Sequence, residues 1–218
     1  MKSNNKKTDQ GFSAAWWVLL TAVLLSIILM LIPKPVEVVD PKILPWNSVI
    51  NEQGNIEALG LTLGVSTPQD AIALYGEDYE TLVFTDKSEN NKVAEVYFPT
   101  MTLAKLRGVV TLILEVPEKE LSEMYSRGVK ITVNSTGNRQ ITLREEDSDS
   151  LIDNTILTMT YVPKKNLSKD MITMRFGEPN SKNIGSDGLE RWHYPDKGLE
   201  IILNPDGPEV LQYYIAQE

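Results

Sequence analysis

The chain has 218 residues with a formal net charge of −9, and it contains no cysteine and one histidine, His193. The lack of cysteine excludes disulfides and thiolate ligands, and one histidine leaves too few ligands for a zinc centre. A surface this acidic repels phosphate, so nucleic acid is not an expected partner. No metal ion and no cofactor is predicted.

An uncharged apolar run from Ala14 to Ile32 predicts a single transmembrane helix. Its 19 residues would form a helix about 29 Å long, which matches a hydrocarbon core of about 30 Å. Three lysines and one acid precede the run, and this excess of positive charge favours a cytoplasmic tail over residues 1–13. A cleaved signal peptide fits less well, because the apolar core is long and no small-residue cleavage site follows it.

The body after this helix is therefore expected in the bacterial periplasm, with the chain anchored in the inner membrane through the bilayer-spanning run. Residues 33–45 contain four prolines, which predicts an extended linker. The apolar residues between these prolines leave open that the segment lies along the surface of the body. Two small α+β modules are predicted next, over residues 46–128 and 129–218, and whether they share one core stays open.

In the first module, Thr67 and Pro68 are a helix cap and a first helical residue, and Gly76 ends that helix. Alternating apolar residues predict strands, and a second helix ends at Gly128. The predicted strands cover residues 80–85, 92–98 and 109–116, and the second helix covers 117–127.

The second module begins with a predicted hairpin, residues 129–134 and 139–144, whose apolar residues share one face. Those residues are Ile131, Val133, Ile141 and Leu143. Residues 145–150 are predicted to be a solvated acidic loop. A strand (156–162), a helix ending at Gly177 and three strands (189–194, 199–203 and 210–215) complete the predicted elements.

Two segments about one hundred residues apart, 66–77 and 167–179, repeat one pattern. Each has a cap, an acid, two apolar positions two apart, and a Gly-Glu ending. Each is followed by a strand that ends in an aromatic before a proline, at Phe98 and at Tyr194. The pattern predicts a short helix packed on a small antiparallel sheet in each copy, and the fold class is therefore α+β.

The second copy, together with the strands around Trp192 and Ile201, resembles the SmpA-type repeat. That repeat occurs in the small lipoprotein of the outer-membrane β-barrel assembly machinery and in β-lactamase inhibitor proteins. The resemblance covers mainly residues 167–215 and implies a small protein-binding domain without catalysis. Because this chain has no cysteine to carry a lipid, the resemblance does not imply an outer-membrane location.

Aromatic residues of the last strands are the candidate partner contacts, because aromatics on a sheet face can anchor another protein. The candidates are Trp192, Tyr213 and Tyr214. Strand alternation sends either Tyr213 or Tyr214 outward, and the outward one is the best single candidate. The alternative for Trp192 is a place in the core, with Tyr194, beneath the helix that ends at Gly177.

The expected function is a non-catalytic, membrane-anchored binding or scaffold protein that contacts other envelope proteins. Two alternatives stay open. One is a cell-wall glycan hydrolase that uses two carboxylates from Glu77, Glu178 and Glu190. The other is a structural subunit of an inner-membrane complex, packed through the small residues Ala22 and Ser26.

Overall fold

The computed structural model describes residues 14–31, 40–134 and 137–214. The chain divides into two compact units, residues 1–38 and 39–218. In the first unit, helix α1 spans Ala14–Leu31, and Ile32, the last residue of the predicted run, lies outside the described residues. Among the helices in the described ranges, none combines the length and the hydropathy of a membrane span. The predicted cytoplasmic tail and residues 33–39 of the predicted linker lie outside the described residues.

The second unit contains the remaining described helices and strands, joined by short 3-10 turns at Pro41–Ile43, Pro45–Asn47 and Pro195–Lys197. The helices are α2 (Pro68–Tyr75), α3 (Glu118–Ser126), α4 (Glu145–Leu151) and α5 (Lys169–Phe176). The strands are β1 (Val49–Ile50), β2 (Ile56–Ala58), β3 (Leu61–Thr62), β4 (Glu80–Thr85), β5 (Lys92–Leu103), β6 (Leu106–Leu114), β7 (Lys130–Val133), β8 (Arg139–Thr142), β9 (Ile156–Pro163), β10 (Ser181–Ile184), β11 (Glu190–Tyr194), β12 (Leu199–Leu203) and β13 (Val210–Tyr214).

Ten of these strands form one antiparallel sheet in the order β10-β11-β12-β13-β9-β6-β5-β4-β8-β7, and β1–β3 form a small separate sheet. Strands from both predicted modules therefore lie in one sheet, and hairpin β7–β8 of the predicted second module pairs with β4 of the first. One continuous cluster of buried apolar residues contains members from both stretches. The described residues of 46–128 and 129–214 thus share a single core, and the antiparallel α+β class is confirmed.

Helices α2 and α5 form where the repeated pattern predicts them. The Thr67 amide donates to Asp70 (2.9 Å), and Ser168 Oγ accepts from the Met171 amide (3.2 Å), so each first turn has a side-chain cap. Gly76 and Gly177 follow the helices with φ of 104° and 87°, a left-handed region that favours glycine. Both helices pack on the same face of the sheet, since their last aromatic residue contacts the aromatic that precedes Pro99 or Pro195.

Two predictions about residues 129–150 need correction. The predicted acidic loop is helix α4. Its acids lie in the first turn, where negative charge stabilises a helix, and Asp147 accepts a hydrogen bond from Arg127 Nη2 at 2.6 Å. In the predicted hairpin, Ile131 pairs with Ile141 on one face as expected. Only the inner strand is covered, however, and Ile131 on β7 is 51% exposed because β7 is the last strand of the sheet.

The end of the predicted linker lies against the body, which was the alternative left open by its apolar residues. Pro45 is buried, and its carbonyl accepts a hydrogen bond from Tyr213 Oη at 2.8 Å. The Trp46 carbonyl accepts from Lys197 Nζ at 3.1 Å, and the Trp46 ring packs edge-on against Phe176. Residues 40–47 therefore belong to the folded unit and not to a free spacer.

Candidate functional site: the open face of the sheet

Side chains along strands β5, β6, β9 and β13 alternate mainly between buried and half-buried, whereas all five residues of β12 are buried. The buried positions face the helices, as the contacts Tyr75–Phe98 and Phe176–Tyr194 show. The half-buried positions point to the opposite side, which we call the open face. Its apolar and hydroxyl-bearing members are Val93, Tyr97, Val109, Thr111, Ile113, Thr158, Thr160, Val162 and Val210.

The three candidate contact residues do not lie together on this face. Trp192 is 2% exposed and Tyr213 is fully buried, so neither can touch a partner in this conformation. Both point toward the helices, and Trp192 fills the core with Tyr194, as the alternative interpretation states. Tyr214 is the outward residue of the Tyr213–Tyr214 pair, and it is half-buried at one end of the open face.

Beside Tyr214, a buried glutamate organises a polar network on the open face. Glu200 is 8% exposed and accepts a hydrogen bond from Arg191 Nη1 at 2.7 Å. His193 Nδ1 lies 3.1 Å from Glu200 Oε2, and Tyr214 Oη lies 3.5 Å from the same oxygen. The bond to Glu200 raises the pKa of Arg191, while burial followed by the Glu200 charge raises the pKa of Tyr214. These contacts with Glu200 fix the positions of the Arg191, His193 and Tyr214 side chains.

A cavity of about 330 Å³ adjoins this network, between hairpin β1–β2 and the ends of the last strands. Its walls are mainly apolar, and His193 and Tyr214 supply the polar groups. The other lining residues are Ile50, Gly54, Ile56, Pro195, Gly198 and Leu199. An apolar cavity with a few fixed polar groups suits a side chain or a small molecule that is apolar with one polar end.

Near the middle of the open face stands a carboxylate that the sequence pattern did not single out. Glu95 lies on β5 between Leu82 of β4 and Ile113 of β6. Burial raises the pKa of Glu95 to about 7, and the described residues give it no ion-pair partner. In the sequence, Glu95 stands two residues from Val93 and two from Tyr97, at a position that points away from the core. An acid is ordinary at an outward position of a solvated strand, so the pattern gave no reason to select it.

The carboxylates of the hydrolase alternative are placed separately. Glu190 accepts hydrogen bonds from Lys169 Nζ at 2.5 Å and Trp192 Nε1 at 2.8 Å, which lower its pKa and hold it ionised. Glu77 and Glu178 are exposed after helices α2 and α5. Among the described residues, no group of three or more His, Asp or Glu side chains is placed to bind a metal ion.

No known protein family, curated protein or solved structure matches the chain.

Proposed function

We propose that the protein is a non-catalytic binding module of the bacterial envelope, and that its open face contacts another envelope protein. The observation that carries the proposal is the partly exposed face of strands β5, β6, β9 and β13, while the other face of the sheet bears the helices. Protein interfaces combine an apolar centre with hydrogen-bonded polar groups at the rim. The open face has both kinds of group: Val109, Val162 and Ile113 flank the central threonines Thr111 and Thr160, and the Arg191–Glu200 pair lies toward one edge.

Rigidity of the face also supports binding. Every second residue of its strands is packed in the core, so the backbone that presents the outward residues is fixed by the sheet. A surface ordered in advance loses less conformational entropy when it binds. Tyr214 and Arg191 belong to the residue types that most often dominate binding energy at interfaces.

Attachment to the inner membrane is the second part of the proposal. Helix α1 exposes large apolar side chains such as Leu24, Leu25 and Met30, and the uncharged run continues in the sequence to Ile32. A contiguous apolar surface of this kind favours a bilayer, and the lysines before it favour a cytoplasmic tail. The folded unit, described from residue 40 onward, would then lie in the periplasm.

The binding proposal is tested in living cells by photo-crosslinking from single positions of the full chain. Benzoyl-phenylalanine replaces Thr160 at the centre of the open face, and in a control it replaces the exposed Lys119 of α3 on the helix side. We expect a discrete crosslinked band from position 160 and none from position 119. Absence of a band from position 160, or equal bands from both positions, would contradict the proposal.

The location is tested separately with spheroplasts that contain the full chain with a C-terminal tag. External protease should remove the tag while leaving a cytoplasmic marker protein intact. A tag that survives until the membrane is lysed would place the body in the cytoplasm and would overturn this part of the proposal.

A further inference from the structure

At one end of the large sheet the charge of the molecule changes sign. We propose that this end, formed by the β5–β6 hairpin and the residues after β9, is an anion-binding cleft for a phosphate-type oxyanion. The cleft has a volume of about 580 Å³ and contains Arg107 and Lys164. The cleft adjoins the open face through Val109 and Val162, but the inference concerns its cationic end and does not depend on a protein partner.

Two cations face each other across neighbouring strands in this cleft. Gly108 pairs with Pro163, and Lys164 N donates to the Arg107 carbonyl at 2.8 Å, so Arg107 and Lys164 continue the register as opposite residues. Like charges at opposite positions of adjacent strands destabilise a sheet. Neither side chain forms an ion pair with a described acidic residue. An anion between the two would remove the repulsion.

The remaining lining of the cleft supplies neutral hydrogen-bond donors. Thr100, Thr102 and Asn166 line it with the two cations, and no described acidic residue takes part in the lining. Lys105 lies two residues before Arg107, and Lys165 follows Lys164 directly. Hydroxyl, amide and cationic donors converging on one cleft are the set that binds oxyanions.

The turn that carries Lys105 is held in an unusual backbone conformation. Ala104 and Lys105 have φ of 44° and 72°, in the left-handed region that asparagine or glycine normally occupies in a two-residue hairpin. Pairing of Leu103 with Leu106 closes the turn and enforces this geometry. Strain of this kind is retained where the surrounding structure demands it, and it fixes the position from which the Lys105 side chain leaves the turn.

The local charge outweighs the overall acidity of the chain. Residues 96–114 and 154–169, which supply most of the lining of the cleft, contain no acid, although the chain has 30 acids against 21 lysines and arginines. Glu209, next to the lining residue Pro208, is buried and accepts a hydrogen bond from the Leu167 amide. At physiological salt the Debye length is about 8 Å, so more distant acids are largely screened. The general repulsion of phosphate by an acidic surface therefore does not extend into this cleft.

Arginine and lysine together point to the class of ligand. The guanidinium plane forms paired hydrogen bonds with a phosphate, and the ammonium adds a point charge. A soluble phosphate and the headgroup of an anionic phospholipid share this chemistry. We therefore test both sources with one local measurement, the rate at which Lys164 is acetylated.

The full chain is reconstituted in phosphatidylcholine vesicles and labelled with an amine-acetylating reagent, and each lysine is quantified by mass spectrometry. The probes are inorganic phosphate, sodium chloride at the same ionic strength, and vesicles that also contain phosphatidylglycerol. At phosphate concentrations of twice Kd one third of the sites stay free, so labelling of Lys164 should fall about threefold. The exposed Lys119 serves as the internal reference.

Protection of Lys164 by phosphate alone indicates a soluble ligand, and protection by phosphatidylglycerol alone indicates a lipid headgroup. Either result supports the cleft if Arg107→Gln abolishes the protection and the exposed control Arg144→Gln does not. Equal protection by chloride, or no change at Lys164 beyond that at Lys119, would overturn the proposal. Arg107 is exposed, so Arg107→Gln is expected to fold, which circular dichroism verifies.

Discussion

Two regions of the large sheet repeat one arrangement but use their hydroxyl groups differently. In the first, α2 is followed by strands β4–β6, and Tyr75 of the helix contacts Phe98 of the middle strand, with ring centroids 5.4 Å apart. In the second, α5 is followed by β10–β12, and Phe176 contacts Tyr194 at 6.2 Å. The hydroxyl thus belongs to the helix residue in one region and to the strand residue in the other.

Each hydroxyl donates a hydrogen bond to a different part of the chain. Tyr75 Oη donates to the Leu59 carbonyl at 2.9 Å and fastens the segment before the helix. Tyr194 Oη donates to the Gly177 carbonyl at 3.2 Å and secures the end of its own helix. The contact between the two rings is therefore the feature that both regions share, whereas the hydroxyl group can belong to either ring.

The two regions also differ on the open face. Three residues before the strand aromatic, the first region has Glu95 and the second has Arg191. Glu95 lies between apolar neighbours, whereas Arg191 bonds to both Glu200 and Asp187. The first region presents an acid without an ion-pair partner among the described residues, and the second presents an ion-paired network.

The largest expected effect comes from removing one ring contact. Phe98→Ala should lower the free energy of unfolding by about 3–5 kcal/mol, because a fully buried ring leaves a cavity. Tyr194→Ala should cost a similar amount if the two contacts are equivalent. Urea unfolding of the full chain in detergent measures both losses. A loss below about 1 kcal/mol in only one variant would show that the two ring contacts are not equivalent.

The hydroxyls are expected to contribute less. Tyr75→Phe should destabilise the protein by about 2 kcal/mol, because the buried Leu59 carbonyl loses its donor. Tyr194→Phe should cost about 1 kcal/mol, since its hydrogen bond is only partly buried. The same unfolding experiment ranks the two variants, and the reverse order would show that the helix-end bond is the stronger one.

Glu95 in the first region is expected to make the stability of the protein depend on pH. Burial raises the pKa of Glu95 in the folded protein to about 7 from 4.5, so the folded state binds this proton more tightly than the unfolded state. Its contribution is present in full below about pH 4.5 and is lost as the pH rises through about 7. Glu95→Gln should therefore stabilise the protein by about 1 kcal/mol at pH 8 after allowance for solvent screening, and by almost nothing at pH 4.

The control for this experiment is the exposed Glu52. Glu52→Gln should leave the difference between pH 4 and pH 8 unchanged in thermal unfolding. A Glu95 variant that follows wild type at both pH values would mean that the apolar neighbours do not perturb this carboxylate.

The smallest effect on stability is expected at the outer edges of the sheet. Strand β7, beyond the first region, exposes Ile131 and Val133, and the exposed Val129 directly precedes it, whereas β10 at the opposite edge is mainly polar. Ile131→Lys should change stability by less than about 0.5 kcal/mol but should slow aggregation, because a charge blocks edge-to-edge pairing. Light scattering of concentrated protein checks this, with Asn183→Lys on β10 as the matched control that should have no effect.

Local signals predicted much of the fold. Caps and terminal glycines located α2 and α5, and alternation located most strands, since both depend on neighbours in sequence. Helix α4 was missed because it is stabilised by Asp147 pairing with Arg127, twenty residues away. Strand β10, Ser181–Ile184, was missed because it has no apolar alternation.

The single sheet and its open face were beyond the reach of pattern alone. Strand β9 joins the regions by pairing with both β6 and β13, a long-range choice that no local motif encodes. Alternation did predict that one of Tyr213 and Tyr214 faces outward. It could not predict which face the helices cover, and therefore could not identify Glu95 or the Glu200 network.

The place where the chain joins its folded body has a mechanical consequence. Tyr213, which holds the Pro45 carbonyl, lies on β13, and that strand is flanked on both sides by β12 and β9. A pulling force on the chain before Asp40 would therefore act on an interior strand of the sheet and not on either edge strand. Edge strands open locally at a small cost in free energy, whereas interior strands open only when the whole structure unfolds. An attachment at β13 therefore resists local opening better than an attachment at an edge strand would.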